Sequence, residues 1–324
     1  MMTKPKLIVT RKWPASVEAR LRETFDVTLN ETDVPFDAAA FVSAFQNYDA
    51  VLPTVSDMIP ADAYTAPNVR TKLLANFGVG YNHIDITAAH AAGMTVTNTP
   101  GVLTDCTADI AMGLLLSSAR RIGEGEREVR SDNWTGWRPT HMIGAKVTGA
   151  TLGIIGFGRI GQAMAHRAHH GFGMKVVFQN RSKVADDIAA QTNATQLDTV
   201  AEVMAASDFV SLHCPGGQAE PIVNAAALAA MKPSGHLINT ARGDVVDETA
   251  LTAALKEGRI AGAGLDVFEK EPSIPADLKA LDNVVLAPHL GSATLETREA
   301  MGNMATDNAI AFFDGDTPPN LVQG

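Results

Sequence analysis

Cysteine, long apolar runs and positive charge are all scarce in this chain of 324 residues. The two cysteines, Cys106 and Cys214, suit a reducing compartment and form no metal-ligand cluster. No apolar run approaches the ~20 residues of a membrane helix, and residues 1–11 lack the apolar core of a signal peptide. Basic residues number 26 against 36 acidic ones, so a net charge of −10 disfavours nucleic acid and membrane surfaces as partners. We therefore expect a cytoplasmic protein that needs no metal.

What the chain does contain is an alternation of short apolar strands and helical segments. Hydrophobic residues make up 46% of it, which is enough for two domains with ordinary cores. The alternation predicts an α/β fold with parallel sheets, and no repeat or low-complexity stretch interrupts it. We expect residues 101–288 to form a doubly wound Rossmann domain of roughly six strands. This dinucleotide-binding domain would be inserted in a flavodoxin-like substrate domain built from residues 1–100 and 289–324.

A glycine-rich turn stands between a predicted strand and a predicted helix. Gly156, Gly158 and Gly161 follow a buried strand with Gly-x-Gly-x-x-Gly spacing, and residues 159–170 have helical spacing. The first glycine permits the tight turn, the second leaves room for a pyrophosphate, and the third lets the helix pack on the strand. Glycines alone would also fit a plain turn, but a second strand at 174–178 completes a βαβ unit. The context predicts dinucleotide binding.

The residues after that second strand bear on which dinucleotide binds. NAD sites of this type place a carboxylate about 20 residues beyond the glycines, where it accepts hydrogen bonds from the ribose 2′-hydroxyl. Here Asn180 stands 19 residues after Gly161, and Arg181, Ser182 and Lys183 follow it. A neutral amide does not repel a 2′-phosphate, and a guanidinium can bind one. We expect NADPH as the cofactor, with NADH as a weaker alternative, unless the two basic side chains merely solvate the loop.

Three polar side chains follow successive predicted strands of the second domain. They are Arg242, Glu271 and His289. Because the carboxyl ends of parallel strands share one edge of a sheet, these side chains can converge. Arginine can hold a carboxylate and polarise a carbonyl, and histidine can pass a proton near neutral pH. Each alone would also fit a surface ion pair or a loop cap, but together they suit the reduction of a 2-oxo acid.

A helix over residues 104–120 precedes a long segment, 123–149, that we expect to be irregular. The segment carries Trp134 and Trp137. Long loops in compact proteins are usually functional or contact a partner, and tryptophan often anchors interfaces. Packing of the loop on its own domain is an equal alternative. We expect the helix and the segment to build a two-fold homodimer.

Taken together, these segments resemble the D-2-hydroxyacid dehydrogenase family over nearly the whole chain. Besides the glycine turn, the matching segments are Gly78–Asp85, Leu212–Pro215, Asn239–Gly243, Gly264–Pro272 and Pro288–Thr294. Within the family, residues 291–294 and 134–137 look most like glyoxylate/hydroxypyruvate reductases. Residues 216–221 depart from the family's usual pattern, with no clear effect on chemistry.

The resemblance implies a role for individual residues. Arg242 would bind the substrate carboxylate and carbonyl, His289 would be the acid/base, and Glu271 would orient and charge His289. The substrate would also meet the backbone amides of Val79 and Gly80, together with Ser292 and Trp137, and Trp137 could reach the active site of the partner subunit. Asp266 would lie near the nicotinamide. The implied cofactor-binding residues are Gly156, Phe157, Gly158, Arg159, Ile160, Gly161, Asn180, Arg181, Ser182, His213, Cys214, Pro215, Thr240, Ala241, Asp266 and Thr107.

The expected activity is therefore NADPH-dependent reduction of glyoxylate and hydroxypyruvate to glycolate and D-glycerate. Two alternatives stay open at this point. One is a non-catalytic nucleotide-sensing regulator on the same fold, against which the acidic charge and the lack of extended tails argue. The other is a dehydrogenase for a bulkier 2-oxo acid, which the side chains of Leu52, Pro53 and Trp137 would decide.

Overall fold

The protein, described here by a computed structural model over residues 4–323, forms two compact units. Among the described residues, one unit comprises residues 4–103 and 293–323, and the other comprises residues 104–292. The sequence had placed these boundaries after residues 100 and 288, which would put His289 in the substrate domain. His289 lies in the second unit instead, because its N–H donates to the Asp266 carbonyl at 3.0 Å.

Strands and helices alternate from the start of the described chain. The elements of the first unit before residue 103 are β1 (Lys6–Val9), α1 (Ala15–Thr24), β2 (Asp26–Thr28), α2 (Ala38–Asn47), β3 (Ala50–Leu52), α3 (Ala61–Thr65), β4 (Leu73–Ala75), α4 (Ile86–Ala91) and β5 (Thr95–Thr97). The elements of the second unit are α5 (Thr104–Ala119), α6 (Ile122–Arg130), β6 (Thr151–Ile155), α7 (Arg159–His166), β7 (Lys175–Gln179), α8 (Asp186–Ala190), β8 (Thr195–Gln196), α9 (Val200–Ala206), β9 (Phe209–Leu212), α10 (Ala225–Ala230), β10 (His236–Asn239), α11 (Glu248–Lys256), β11 (Gly262–Leu265), α12 (Ala276–Lys279) and β12 (Val284–Leu286). The chain then returns to the first unit as α13 (Leu295–Asp314).

The first unit is organised around a parallel sheet with the strand order β2-β1-β3-β4-β5. This is the flavodoxin-like order, in which loops at the carboxyl ends of the strands form the ligand-binding edge. Apolar side chains of the helices cover the sheet, with Phe41 and Phe45 of α2 fully buried. The helix α2 begins after Asp37, whose carboxylate accepts the Ala40 N–H at 2.8 Å as an N-terminal cap.

The second unit is organised around a longer parallel sheet with the order β12-β11-β10-β9-β6-β7-β8. Within the described residues this gives seven strands, where the sequence predicted roughly six. Alternate residues of β6 join two separate apolar clusters, Leu152 and Ile154 in one and Ile155 in the other, so both faces of the sheet are covered. The predicted α/β class with a Rossmann domain is confirmed. The strand order reverses between β6 and β9, the place where such sheets bind dinucleotides.

Two local predictions differ from the structure. The helix expected over 159–170 is α-helical only to His166 and continues as a π-type turn over Arg167–Gly171. The segment 123–149 is not irregular throughout, because α6 occupies its start. None of the residues of α6 is buried, and ion pairs between side chains three or four residues apart stabilise it, Arg121 with Glu124 among them.

Across the described part of the chain, each helix is either too short or too polar to cross a lipid bilayer.

Candidate active site

The catalytic candidates lie at the carboxyl ends of three neighbouring strands. Arg242 follows β10, Glu271 follows β11 and His289 follows β12, and these strands are adjacent in the sheet. The His289 Nδ1 atom lies 2.8 Å from Glu271 Oε2. Both side chains are about one-third exposed, at 33% and 35%. A carboxylate only accepts hydrogen bonds, so Nδ1 carries the proton in this contact and Nε2 is the ring nitrogen left for a substrate.

The Glu271 carboxylate is fixed at both oxygens. Its Oε1 accepts the Phe268 N–H at 3.0 Å, and its Oε2 bonds to His289. Burial by itself raises the pKa of Glu271, but the hydrogen bond and charge of His289, the Phe268 N–H and the charge of Arg242 outweigh it, and the net pKa is lowered. The carboxyl is therefore ionised at neutral pH and supplies a fixed negative charge to His289.

The Arg242 guanidinium is largely withdrawn from water. Burial lowers its pKa, while the charges of Glu271 and Asp244 raise it. It keeps its proton, since the ordinary pKa of arginine lies far above neutrality. The Arg242 Nη1 atom donates to the Ala241 carbonyl at 2.6 Å, and the backbone carbonyl of Arg242 accepts from Asn239 Nδ2 at 2.8 Å. A largely desolvated guanidinium that uses one of its five N–H donors within the described residues is suited to bind a carboxylate.

Asp266, which directly follows strand β11, connects that strand by hydrogen bonds to the loop that carries His289. Its two carboxylate oxygens accept the N–H groups of Leu290 at 2.6 Å and Gly291 at 2.7 Å. The side chain is 1% exposed, and burial raises its pKa against the effect of those bonds. A β-carbon built on Gly291 would lie 3.3 Å from Asp266 and 3.4 Å from Thr107, so these three residues lie close together.

The glycine turn after β6 has the close backbone contacts that its spacing predicts. Gly156 has φ +91°, and a β-carbon there would lie 2.7 Å from Cys214 N and the His213 carbonyl carbon. A β-carbon on Gly161 would clash with the Gly156 carbonyl oxygen, whereas one on Gly158 would meet open space. The helix α7 starts after Gly158 with no side-chain cap on its N–H groups. A phosphate can therefore approach the backbone on the open side of Gly158 and meet a helix N-terminus.

Two buried polar atoms near this edge have no hydrogen-bond partner among the described residues. They are His213 Nδ1 and Thr240 Oγ1, which follow the strands β9 and β10. Burial lowers the pKa of His213 to about 3, so the ring is neutral, and its Nε2 lies 2.9 Å from Ser211 Oγ. Buried groups of this kind normally have a partner, and a ligand is one way to supply it. Together with the open glycine turn, they fit a bound dinucleotide.

Asn180 fixes the backbone of the segment that is expected to determine the cofactor preference. Its Oδ1 accepts the Phe157 N–H of the glycine turn at 3.1 Å, and its Nδ2 donates to the Ser182 carbonyl at 3.0 Å. Arg181 and Ser182 are exposed, and the Arg181 guanidinium makes no ion pair within residues 4–323. Lys183, by contrast, lies 3.7 Å from Asp186. The predicted phosphate-binding guanidinium is thus available to a ligand.

The remaining predicted residues are placed as follows. Ser292 is half-buried at the end of the second unit, and Trp137 is 82% exposed, so its ring packs against little of its own chain. Val79 and Gly80 belong to the first unit and are half-buried in the loop after β4. The other cofactor candidates in the second unit stand at its strand ends or at the start of α7; they are Arg159, Ile160, Pro215 and Ala241.

Sequence reasoning missed Glu248 and assigned no individual role to Gly243, and both residues support the catalytic loop. Glu248 is 8% exposed, and its Oε1 accepts the Glu269 N–H at 2.8 Å, two residues before Glu271. A β-carbon on Gly243 would overlap the backbone of Phe268, so only glycine allows the two loops to approach. A glutamate after an N-terminal cap normally indicates a solvated helix start, and no sequence signal distinguishes this buried one.

Known proteins with similar sequences and folds cover nearly the whole chain. A family model described as "D-isomer specific 2-hydroxyacid dehydrogenase, NAD binding domain" matches residues 112–291. The glyoxylate reductase of Thermococcus onnurineus is 44% identical over 98% of this chain and 96% of its own, and that of Pyrococcus furiosus is 43% identical over 98% and 95%. The crystal structure of an NADPH-dependent glyoxylate/hydroxypyruvate reductase from Sinorhizobium meliloti, in complex with NADP and malonate, has a TM-score of 0.87 at 36% identity and covers 99% of this chain and 97% of that one.

The two sheets, the glycine turn and these similarities define an oxidoreductase that uses a nicotinamide dinucleotide. The chain belongs to the D-isomer specific 2-hydroxyacid dehydrogenase family.

Proposed function

We propose that this protein reduces the small 2-oxo acids glyoxylate and hydroxypyruvate to D-2-hydroxy acids with NADPH. The observation that carries the proposal is the 2.8 Å contact between His289 Nδ1 and Glu271 Oε2, with the buried Arg242 in the same electrostatic environment. A cation for the carboxylate, a proton donor and a fixed negative charge behind that donor are the groups that this reduction needs. The names of the relatives, glyoxylate reductases in particular, support the choice of substrate.

Each side chain has a defined task in this proposal. Arg242 binds the substrate carboxylate and polarises the carbonyl oxygen. His289, protonated at both ring nitrogens, donates the Nε2 proton to that oxygen as the carbonyl carbon is reduced, and Glu271 stabilises the imidazolium until the proton leaves. When bound, the reduced nicotinamide supplies the hydride. The products are the D-2-hydroxy acid and the oxidised cofactor, and one proton is taken from water to restore His289.

The preference for NADPH rests on the segment after β7. Asn180 is neutral, and its amide holds Ser182 so that Arg181 stands at the turn with no competing acid bonded to it. Neither the amide nor the hydroxyl repels a 2′-phosphate, and the guanidinium attracts it. NADH, which lacks the phosphate, would bind without this contact and serve as the weaker cofactor.

We also infer that two copies of the chain associate. Large apolar side chains are exposed throughout residues 122–143, namely Ile122, Val129, Trp134, Trp137 and Ile143. They stand on or just after α6, a helix none of whose residues is buried. Five exposed large apolar side chains within one short stretch of the chain favour an interface, and two-fold dimers are the commonest closed assembly.

A kinetic comparison of His289→Ala with the wild-type enzyme tests the catalytic proposal. The wild-type enzyme should oxidise NADPH in the presence of glyoxylate and hydroxypyruvate. Removing the proton donor should lower kcat ~10²–10⁴-fold and leave the Kd for NADPH nearly unchanged, since the histidine acts mainly in the transition state. His90→Ala, an exposed histidine in the first unit, is the matched control.

Two results would contradict the proposal. Near-normal turnover of His289→Ala would remove the assignment of the acid/base. A kcat/KM for phenylpyruvate at least tenfold above that for both small acids would instead favour a dehydrogenase for bulkier substrates.

A further inference from the structure

Three successive backbone carbonyls in the first unit are each bound by a side-chain amide. The residues are Gly78, Val79 and Gly80, which we call the GVG loop. Asn76 Nδ2 donates to the carbonyls of Gly78 and Gly80, both at 3.0 Å, and Asn98 Nδ2 donates to the carbonyl of Val79 at 2.8 Å. Every carbonyl of the loop thus accepts a hydrogen bond from an asparagine side chain, either the buried Asn76 or the half-buried Asn98.

The N–H groups of the same loop are in the opposite situation. Within residues 4–323, neither the Val79 N–H nor the Gly80 N–H has a hydrogen-bond acceptor. Both residues are half-buried, so leaving these donors without a partner is unfavourable. Since each peptide unit sets its N–H opposite its C=O, holding the carbonyls toward the asparagines leaves successive N–H groups for an acceptor outside the loop.

Asn76 is itself fixed on all sides. It directly follows β4 and is 0% exposed, and its Oδ1 lies 3.0 Å from His83 Nε2. Because both hydrogens of Nδ2 are used on the GVG loop, Oδ1 is the acceptor and His83 donates from Nε2. The Asn76 side-chain amide cannot flip by 180° without losing all three hydrogen bonds, so its orientation sets the orientation of the loop.

Asn98 is held from the C-terminal part of the first unit. Its N–H donates to the Asn320 carbonyl at 3.2 Å, and its carbonyl accepts from Asn308 Nδ2 at 3.1 Å. Asn308 lies on α13 and is 0% exposed, and its Oδ1 accepts the Asn320 N–H at 3.1 Å. The return of the chain to the first unit therefore fixes the side chain that binds the Val79 carbonyl.

We propose that Asn76 and Asn98 are positioning residues that hold the GVG loop with its Val79 and Gly80 N–H groups ready for the substrate carboxylate. The inference rests on the proposed function, because that function supplies a substrate with a carboxylate for the two amides to bind. It assigns the selectivity for acids to two residues that do not touch the substrate. Both are neutral donors, and an acidic side chain at either position would lose the donation to the loop.

Binding of oxalate to the enzyme–NADPH complex tests this inference. Oxalate carries the carboxylate but cannot be reduced, so its Kd, followed by NADPH fluorescence, reports the loop without the chemistry. Asn76→Asp keeps the size of the side chain and an acceptor for His83 but removes both donations to the loop. Asn98→Ala removes the bond to Val79. Each change should raise the Kd for oxalate and the KM for glyoxylate about tenfold or more, the loss expected for one charge-assisted hydrogen bond, with the Kd for NADPH unchanged.

Thr71→Val is the matched control for loss of stability. Thr71 precedes β4 at its other end, is 0% exposed, and donates from Oγ1 to the Tyr48 carbonyl at 2.9 Å. Its removal costs one buried side-chain-to-backbone bond in the same unit and should leave the Kd for oxalate unchanged. Should Asn76→Asp fail to fold, Asn98→Ala, at a half-buried position, decides the matter.

The outcomes separate the inference from the proposed function. If the wild-type enzyme reduces glyoxylate and binds oxalate, but folded variants bind oxalate as tightly as it does, the inference alone is wrong. An equal rise of the Kd in Thr71→Val would also overturn it, because general destabilisation would then explain the effect. If the wild-type enzyme neither reduces glyoxylate nor binds oxalate, both the proposed function and the inference are wrong.

Discussion

Replacement of Arg181 by alanine is the most direct test of cofactor choice. The guanidinium is exposed, makes no ion pair within the described residues, and follows Asn180, whose amide holds the turn. A charge-assisted hydrogen bond contributes ~1.5–3 kcal/mol, and solvent at an exposed site reduces this toward the lower end. At ~1.4 kcal/mol per tenfold, Arg181→Ala should lower kcat/KM for NADPH about tenfold. The value for NADH, which has no 2′-phosphate, should barely change.

Lys183→Ala is the matched control, since it removes the same charge two residues away. Lys183 is 83% exposed and lies 3.7 Å from Asp186, which already offsets part of its field. We therefore expect a clearly smaller loss with NADPH than in Arg181→Ala. Steady-state rates with both cofactors at fixed glyoxylate, repeated at two salt concentrations, measure the difference. Higher salt should shrink the effect of Arg181→Ala, because exposed charges are screened.

Asn180→Asp tests the same segment from the other side. The aspartate keeps an oxygen for the Phe157 N–H but loses the donation to the Ser182 carbonyl, and it places a negative charge where the 2′-phosphate would lie. The preference should shift toward NADH. If the wild-type enzyme already shows equal or better kcat/KM with NADH, the reasoning from these side chains is refuted, whereas the chemistry assigned to His289 is unaffected.

Two further predictions concern the catalytic loop and the assembly. Glu248→Leu removes the acceptor of the Glu269 N–H and should lower kcat by on the order of tenfold without changing the Kd for NADPH. Glu248→Gln keeps an acceptor oxygen and should retain most activity. Equal rates for both variants in a glyoxylate assay would show that the contact does not matter. Light scattering should give twice the 34.2 kDa chain mass, and Val129→Asp should weaken that dimer because it charges an exposed apolar position. A monomeric wild-type protein at working concentrations would contradict the dimer.

The sequence predicted those features that depend on neighbours in the chain. The strand, the glycine turn and the start of α7 lie within a few residues of one another, so their spacing alone identifies them. Arg242, Glu271 and His289 could be selected because each follows a strand, and parallel strands bring such residues to one edge.

Features that depend on distant contacts were beyond the sequence. Asn98 and Asn308 are separated by 210 residues, and only the fold brings them together. Asn76 directly follows the apolar strand β4, and its sequence context does not distinguish a buried amide that holds a loop from one that merely ends a strand. The second unit extends to residue 292, beyond the predicted boundary after residue 288, because the bonds of Asp266 to Leu290 and Gly291 join two strand ends.

The order of the strands also explains why cofactor choice and catalysis can be judged separately. Across the edge of the second sheet, Asn180 follows β7, the glycine turn follows β6, and His289 follows β12 at the far side. Five strand intervals separate β7 from β12, and at ~4.8 Å each the two ends lie about 24 Å apart along the sheet. This exceeds the Debye length of ~8 Å at physiological salt, so a charge removed at Arg181 scarcely reaches His289. A loss of kcat in Arg181→Ala with saturating NADPH would therefore indicate that the cofactor has moved, since direct electrostatics over that distance are too weak to slow proton transfer.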